Sequence, residues 1–92
     1  MAAEPSLKAA IDRFLEQLAD VRLASHHTID SYRRDLTNFL KHCGDIELQQ
    51  ISRGQVQDWL VAAHARGLAP ATLARRLSAL SSFLDMAVET GW

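Results

Sequence analysis

The segment Leu68-Ala69-Pro70-Ala71-Thr72-Leu73-Ala74-Arg75-Arg76-Leu77-Ser78-Ala79-Leu80 leaves little choice of local structure. Pro70 suits the first turn of a helix, where its missing N–H would be unpaired anyway. Leu73, Leu77, Leu80 and Leu84 then recur at helical spacing and form one apolar stripe. Ala71, Arg75, Ala79 and Ser82 line the other side. A face built for solubility alone usually carries long charges of both signs. Short side chains around an arginine instead let the helix approach another surface closely. A nucleic-acid groove is such a surface, with phosphates to meet the arginine and depth to admit the helix. The plainer reading of Arg75 and Arg76 is a solvated surface pair, and the sequence weighs the two about evenly.

Three more helices precede this one. The spacing predicts the first from about Leu7 to Arg22, capped by Ser6, with Leu7, Ile11, Phe14, Leu18 and Val21 buried and Asp12, Glu16 and Asp20 together on another, solvated side. A second helix is expected from about His26 to His42, capped by Ser25, with Gly44 suited to the left-handed position beyond it. Its buried stripe is Ile29, Tyr32, Leu36, Phe39 and Leu40, and His27, Ser31, Arg34, Asn38 and Lys41 point the other way. The third has the clearest start, because Ser52 with Gln55 fits a capping box and Ile51 with Val56 a hydrophobic staple. Val56, Trp59, Leu60 and Ala63 form its apolar side, and Gly67 fits its C′ position. The fourth runs from Pro70 to about Glu89, and Ala69 is a poor N-cap for it. Tyr32 and Trp59 read as core residues, whereas Trp92 sits where a larger protein could bury it. Short connections between four amphipathic helices predict an all-α fold, a compact bundle of two antiparallel helical hairpins.

Composition agrees. The chain has 92 residues, enough for one domain, 48% of them hydrophobic, with only 4 glycines and 2 prolines. No apolar run approaches the length that spans a bilayer, and the N-terminus lacks the features of a signal peptide. The single Cys43 cannot form an internal disulfide, which points to a reducing cytoplasm. The net charge of −1 argues against a general nucleic-acid binder. Its distribution softens that objection. Glu4, Asp12, Glu16 and Asp20 load the first segment with acid, while between Asp58 and Asp85 the only charges are Arg66, Arg75 and Arg76.

Candidate chemistry is sparse. His27, Thr28, Ser31 and Arg34 lie on the first turns of the second helix, where backbone N–H groups attract phosphate. Cap reinforcement by Thr28 and an idle exposed His27 are the plainer alternatives. His26, His27, His42 and Cys43 have poor spacing for a metal site, because adjacent helical residues diverge by about a hundred degrees. No Ser-His-Asp set, glycine-rich phosphate loop or paired-carboxylate cleft appears, so the chain reads as non-catalytic by itself, with no cofactor or metal expected.

Two of these segments carry a resemblance that covers nearly the whole chain, from about Ser6 to Trp92. Ser25-His26-His27-Thr28-Ile29-Asp30-Ser31-Tyr32-Arg33-Arg34-Asp35-Leu36 resembles the S-x-x-T-x-x-x-Y-R-x-D-L opening of tyrosine recombinases and phage integrases. Gly67 to Phe83 resembles the second hallmark of their N-terminal domain. Each motif is degenerate, and the two at this separation are fairly specific. The likeness is strongest to the bacterial members that resolve chromosome dimers. It implies a SAM-like core-binding domain whose second and fourth helices meet the major groove of a recombination half-site. The DNA-contacting role then falls to His27, Thr28, Ser31 and Arg34, and to Ala71, Thr72, Arg75 and Arg76. Tyr32, Leu36, Leu73, Leu77 and Leu80 are implied as core. The implied partners are double-stranded DNA, a C-terminal catalytic domain not contained in residues 1–92, and a second related recombinase within a tetramer, with no membrane. Tyr32 belongs to the N-terminal motif and is not the family's nucleophile. Two departures stand out. Ser81 replaces a frequent arginine, and Ala69 replaces a frequent serine cap, which weakens the helix start by about 1 kcal/mol. Two rival readings of the same residues are a helix-turn-helix regulator and a helical protein-interaction domain that never touches DNA.

Overall fold

A computed structural model of the protein describes residues 5–20 and 24–92. Four α-helices carry most of them: α1 (Leu7–Asp20), α2 (His26–Cys43), α3 (Arg53–Ala65) and α4 (Pro70–Thr90), with a 3₁₀ turn at Leu48–Gln50 between α2 and α3. Strand-like pairing among the described residues is confined to one isolated bridge, Ser6 with Glu47. The expected all-α bundle is the observed fold. Val21 and Arg22, expected at the end of α1, lie outside the described residues.

The helix ends follow from local chemistry. The first N–H groups of a helix lack intrahelical partners and need side-chain acceptors. Ser6 Oγ accepts from Ala9 N at 3.2 Å, and Ser25 Oγ from Thr28 N at 3.2 Å. Ser52 and Gln55 form the reciprocal capping box, with Ser52 N donating to Gln55 Oε1 at 2.9 Å and Gln55 N to Ser52 Oγ at 3.2 Å. At the end of α3, Gly67 takes φ +85°, its N–H bonds His64 O, and Leu68 N bonds Ala63 O. That paired pattern is a Schellman motif, which demands a left-handed residue at Gly67.

Ala69 is the exception, since it holds the extended N-cap conformation but offers no side-chain acceptor. Ala69→Ser therefore stabilises the protein by about 0.5–1 kcal/mol. Urea unfolding reads this as a higher midpoint at unchanged slope.

The start of α1 is tied to the chain just beyond α2. Leu7 N donates to Ile46 O at 2.7 Å, Leu48 N to Pro5 O at 3.2 Å, and Lys8 N to Asp45 Oδ1 at 3.0 Å. The first turn of α1 thus lies beside the end of α2, and the two run antiparallel. The short link Arg66–Ala69 folds α4 back on α3 as the second hairpin. The hairpins join mainly through α2 and α4, and α1 also packs on α4.

The core between them contains Leu7, Ile11, Phe14 and Leu18 of α1, Leu36 and Phe39 of α2, Trp59 of α3, and Leu80, Phe83 and Met86 of α4. Phe14 sits edge-on to both Tyr32 and Phe83 with 5.7 Å between centroids, and Phe39 meets Trp59 at 4.9 Å. Trp92 packs against this core within the chain itself, under the Arg13 guanidinium at 5.7 Å.

The buried face of α4 is not centred on the leucine stripe, of which only Leu80 is fully buried. Leu77 is 44% exposed, while Ala79, expected on the outer side, is buried. The face centres on Phe83, the aromatic that reaches Phe14. At about 100° per residue, Leu77 lies about 120° from Phe83, and Leu73 and Leu84 fall at its margins. Ala79 turns inward because a methyl group is small enough to lie where α2 approaches.

Candidate nucleic-acid interface

An open groove of about 310 Å³ runs between the first half of α2 and the first half of α4. From α2 it is lined by His27, Thr28, Ser31, Tyr32 and Asp35, and from α4 by Arg75, Ser78 and Ala79. Four of the residues singled out in the sequence, His27, Thr28, Ser31 and Arg75, therefore meet in one place. The cap of α2 opens into the same place, with Ser25 Oγ and Thr28 Oγ1 sharing a hydrogen bond at 3.1 Å.

The other four are placed differently. Arg34 is exposed on the adjoining flank of α2, in a hollow shared with Asp30, Arg33, Thr37, Asn38 and Lys41. Ala71, one turn before Arg75 on α4, is exposed, and Thr72 is half-buried. Arg76 turns away from the groove and stacks over the Trp59 ring at 5.6 Å. It lies only about 20° around the helix from Phe83, on the core side. A guanidinium can lie flat on an aromatic face there while its stem covers apolar surface.

Asp35 stands within the first motif, and its place there implies no task. It is the most consequential residue of the groove. Its side chain is 2% exposed, yet both carboxylate oxygens are satisfied: Arg75 Nε donates to Oδ2 at 3.0 Å and Arg75 Nη2 to Oδ1 at 2.9 Å. The hydrogen bond first, and the carboxylate charge second, raise the Arg75 pKa above its ordinary value. The Arg75 side chain remains 45% exposed and lines the groove. One signal was legible: Asp35 interrupts the apolar stripe of Tyr32, Leu36 and Phe39, and a buried carboxylate requires a partner. Its partner lies 40 residues away, which periodicity does not reveal.

Asn38 also departs from expectation. Rather than facing water on the polar side of α2, its Oδ1 accepts from Trp59 Nε1 at 2.8 Å. A buried indole N–H needs an acceptor, and Asn38 is the one in reach.

Charge is segregated around α2. Asp12, Glu16 and Asp20 of α1 border a separate hollow with Ile29 and Arg33. Ile29 lies about 160° around α2 from Ser31, so the acidic side is turned away from the groove. Arg33 is held by Asp30 at 3.4 Å, an exposed pair, whereas Arg34 has no ion-pair partner among the described residues. The two neighbouring pairs His26–His27 and His42–Cys43 sit at opposite ends of α2, about 24 Å apart along the axis. Cys43 is half-buried against the core, and burial raises its thiol pKa.

Comparison with known proteins gives this groove a context. The tyrosine recombinase XerC of Chromohalobacter salexigens is 43% identical over 88 residues, covering 92% of this chain and 29% of that protein. XerC of Salmonella typhi is 37% identical over 91 residues, 96% of this chain and 30% of that protein. XerD of Brucella abortus is 35% identical over 85 residues, 90% and 28% respectively. The chain thus spans less than a third of the length of these relatives. The crystal structure of the N-terminal domain of a phage integrase/site-specific recombinase from Haloarcula marismortui superposes with a TM-score of 0.83 at 18% identity, covering 97% of this chain and 86% of that one, and so shares the fold. Residues 11–91 match the family described as phage integrase, N-terminal SAM-like domain. With that match over most of its length, the chain belongs to the phage integrase N-terminal SAM-like domain family.

Proposed function

We propose that this chain is the DNA-binding module of a XerC-like site-specific tyrosine recombinase, acting in chromosome dimer resolution in the cytoplasm. The observation that carries the reading is the convergence of His27, Thr28, Ser31 and Arg75 on one open groove between α2 and α4. In this reading α2 and α4 lie in the major groove of a recombination half-site. His27, Thr28 and Ser31 approach through the N-terminal turns of α2, Ala71 and Thr72 through the short-chained start of α4. Arg34 supplies an unpaired cation at the flank. Arg76 supports the module through Trp59 rather than through DNA. A catalytic domain C-terminal to these residues carries the strand cleavage, and a XerD-like recombinase completes the tetramer. The similarity to XerC and XerD over less than a third of their length supports this division of labour.

The test is a salt titration of the 92-residue chain on a duplex carrying a chromosome-dimer resolution half-site. Binding is expected to weaken with salt, as phosphate neutralisation requires. Arg34→Ala is expected to lower the magnitude of the slope of log K against log[salt] by about 0.9, at unchanged helicity. An unchanged slope removes Arg34 from the contact face. No binding to any duplex at low salt refutes the DNA reading itself and leaves a protein-interaction domain.

A further inference from the structure

The geometry points to Arg75 as a reader of a guanine base edge, with Asp35 as the positioning residue that fixes its fork and cancels its charge. This rests on the DNA reading above and goes beyond it, from binding to specificity. A guanidinium has five N–H donors in a rigid plane. Asp35 takes the side-on pair, one from Nε and one from Nη2. Three N–H groups are left over, and two of them, one on Nη1 and the second on Nη2, form the end-on fork. It projects from an edge of the plane that Asp35 does not occupy, and the side chain, 45% exposed, lines the groove. Two parallel donors at that spacing match the O6 and N7 acceptors of guanine.

Charge selects the base over the phosphate. Phosphate contacts draw their free energy from an uncompensated cation that displaces counterions. Arg75 has none to give, because the buried carboxylate at 2.9 Å offsets its charge. Its directional donors survive that neutralisation, and direction is what base readout needs. His27 and Tyr32 also line the groove, and the rest of its wall, Thr28, Ser31, Ser78 and Ala79, is short and uncharged, which leaves room for a base edge at the fork.

The experiment selects preferred sequences from a pool of short duplexes with a randomised core, using wild type, Arg75→Lys and Asp35→Asn, with circular dichroism confirming that each is folded. Wild type is expected to enrich a motif with at least one fixed guanine. Arg75→Lys keeps a cation beside Asp35 but loses the fork, and should abolish the preference at that guanine alone, by roughly 5- to 150-fold. Its salt slope should stay at the wild-type value. Asp35→Asn should do the reverse to the electrostatics: the released guanidinium becomes a net cation, the salt slope rises by about 0.9, and guanine preference at that position falls. A merely structural role for Asp35 would not raise the slope. Retention of the guanine by Arg75→Lys overturns the proposal, as does an equal loss on every duplex. If wild type binds all duplexes without a motif, base reading fails while DNA binding stands. If it binds none, the DNA reading fails first.

Discussion

Phe14→Ala is expected to lower the stability of the protein by about 3–5 kcal/mol. The ring is almost wholly buried and joins three helices, because it stands on α1 and meets Tyr32 of α2 and Phe83 of α4 edge-on at 5.7 Å. Its removal costs the transfer free energy of the ring and leaves a cavity that three helix backbones cannot easily close. Two edge-to-face contacts go with it, each worth about 0.5–1.5 kcal/mol beyond the buried area. A domain of this size holds only about 5–15 kcal/mol in total. The variant should therefore lose a large share of its resistance to urea, with a much lower midpoint, while Phe14→Leu loses clearly less. A cost below about 1 kcal/mol would show that α1 does not anchor the bundle.

Arg75→Ala is the second large effect, and it concerns folding before any ligand. Removing the guanidinium strands a carboxylate that is 2% exposed. Breaking such a pair from one side is strongly destabilising, because the remaining charge stays buried without a partner. We expect about 2–4 kcal/mol, less than for a wholly enclosed pair, since nearly half of the Arg75 side chain is in water and its attraction is screened. Replacing both partners separates the causes. Arg75→Met combined with Asp35→Leu should cost less than Arg75→Ala alone, because no uncompensated charge is left behind. Urea midpoints of the single and double variants decide it. If Arg75→Ala is neutral, Asp35 finds solvent without its partner, and its burial is incidental. Arg75→Ala is accordingly a poor probe of binding, and Arg34, exposed and without an ion-pair partner among the described residues, is the better one.

The helices were legible because their signals are local. Ser25, Ser52 with Gln55, and Gly67 act within one turn of themselves, and the structure finds each in its expected cap. Aromatic core positions Phe14, Phe39 and Trp59 were legible for a similar reason, since each lies on the apolar side of its own helix. Leu77 was misread because an apolar stripe reports how a helix can be buried and not how far it is rotated. Packing on Phe14 turns α4 toward Phe83 and leaves Leu77 partly in water. Asn38 and Arg76 were read as polar surface because nothing near them in the chain announces Trp59 as a shared neighbour.

From the order of its residues alone the chain dictates four amphipathic helices, three of them with side-chain N-caps, for capping and periodicity act over one or two turns. Two motifs in that order are enough to suggest the family. Folding in three dimensions settled the rest: which way α4 is rolled, that the groove gathers His27, Thr28, Ser31 and Arg75, and that Arg75 is clamped by Asp35. These depend on contacts between residues tens of positions apart, and a buried charge selects its partner by proximity in the folded core, which no local pattern encodes.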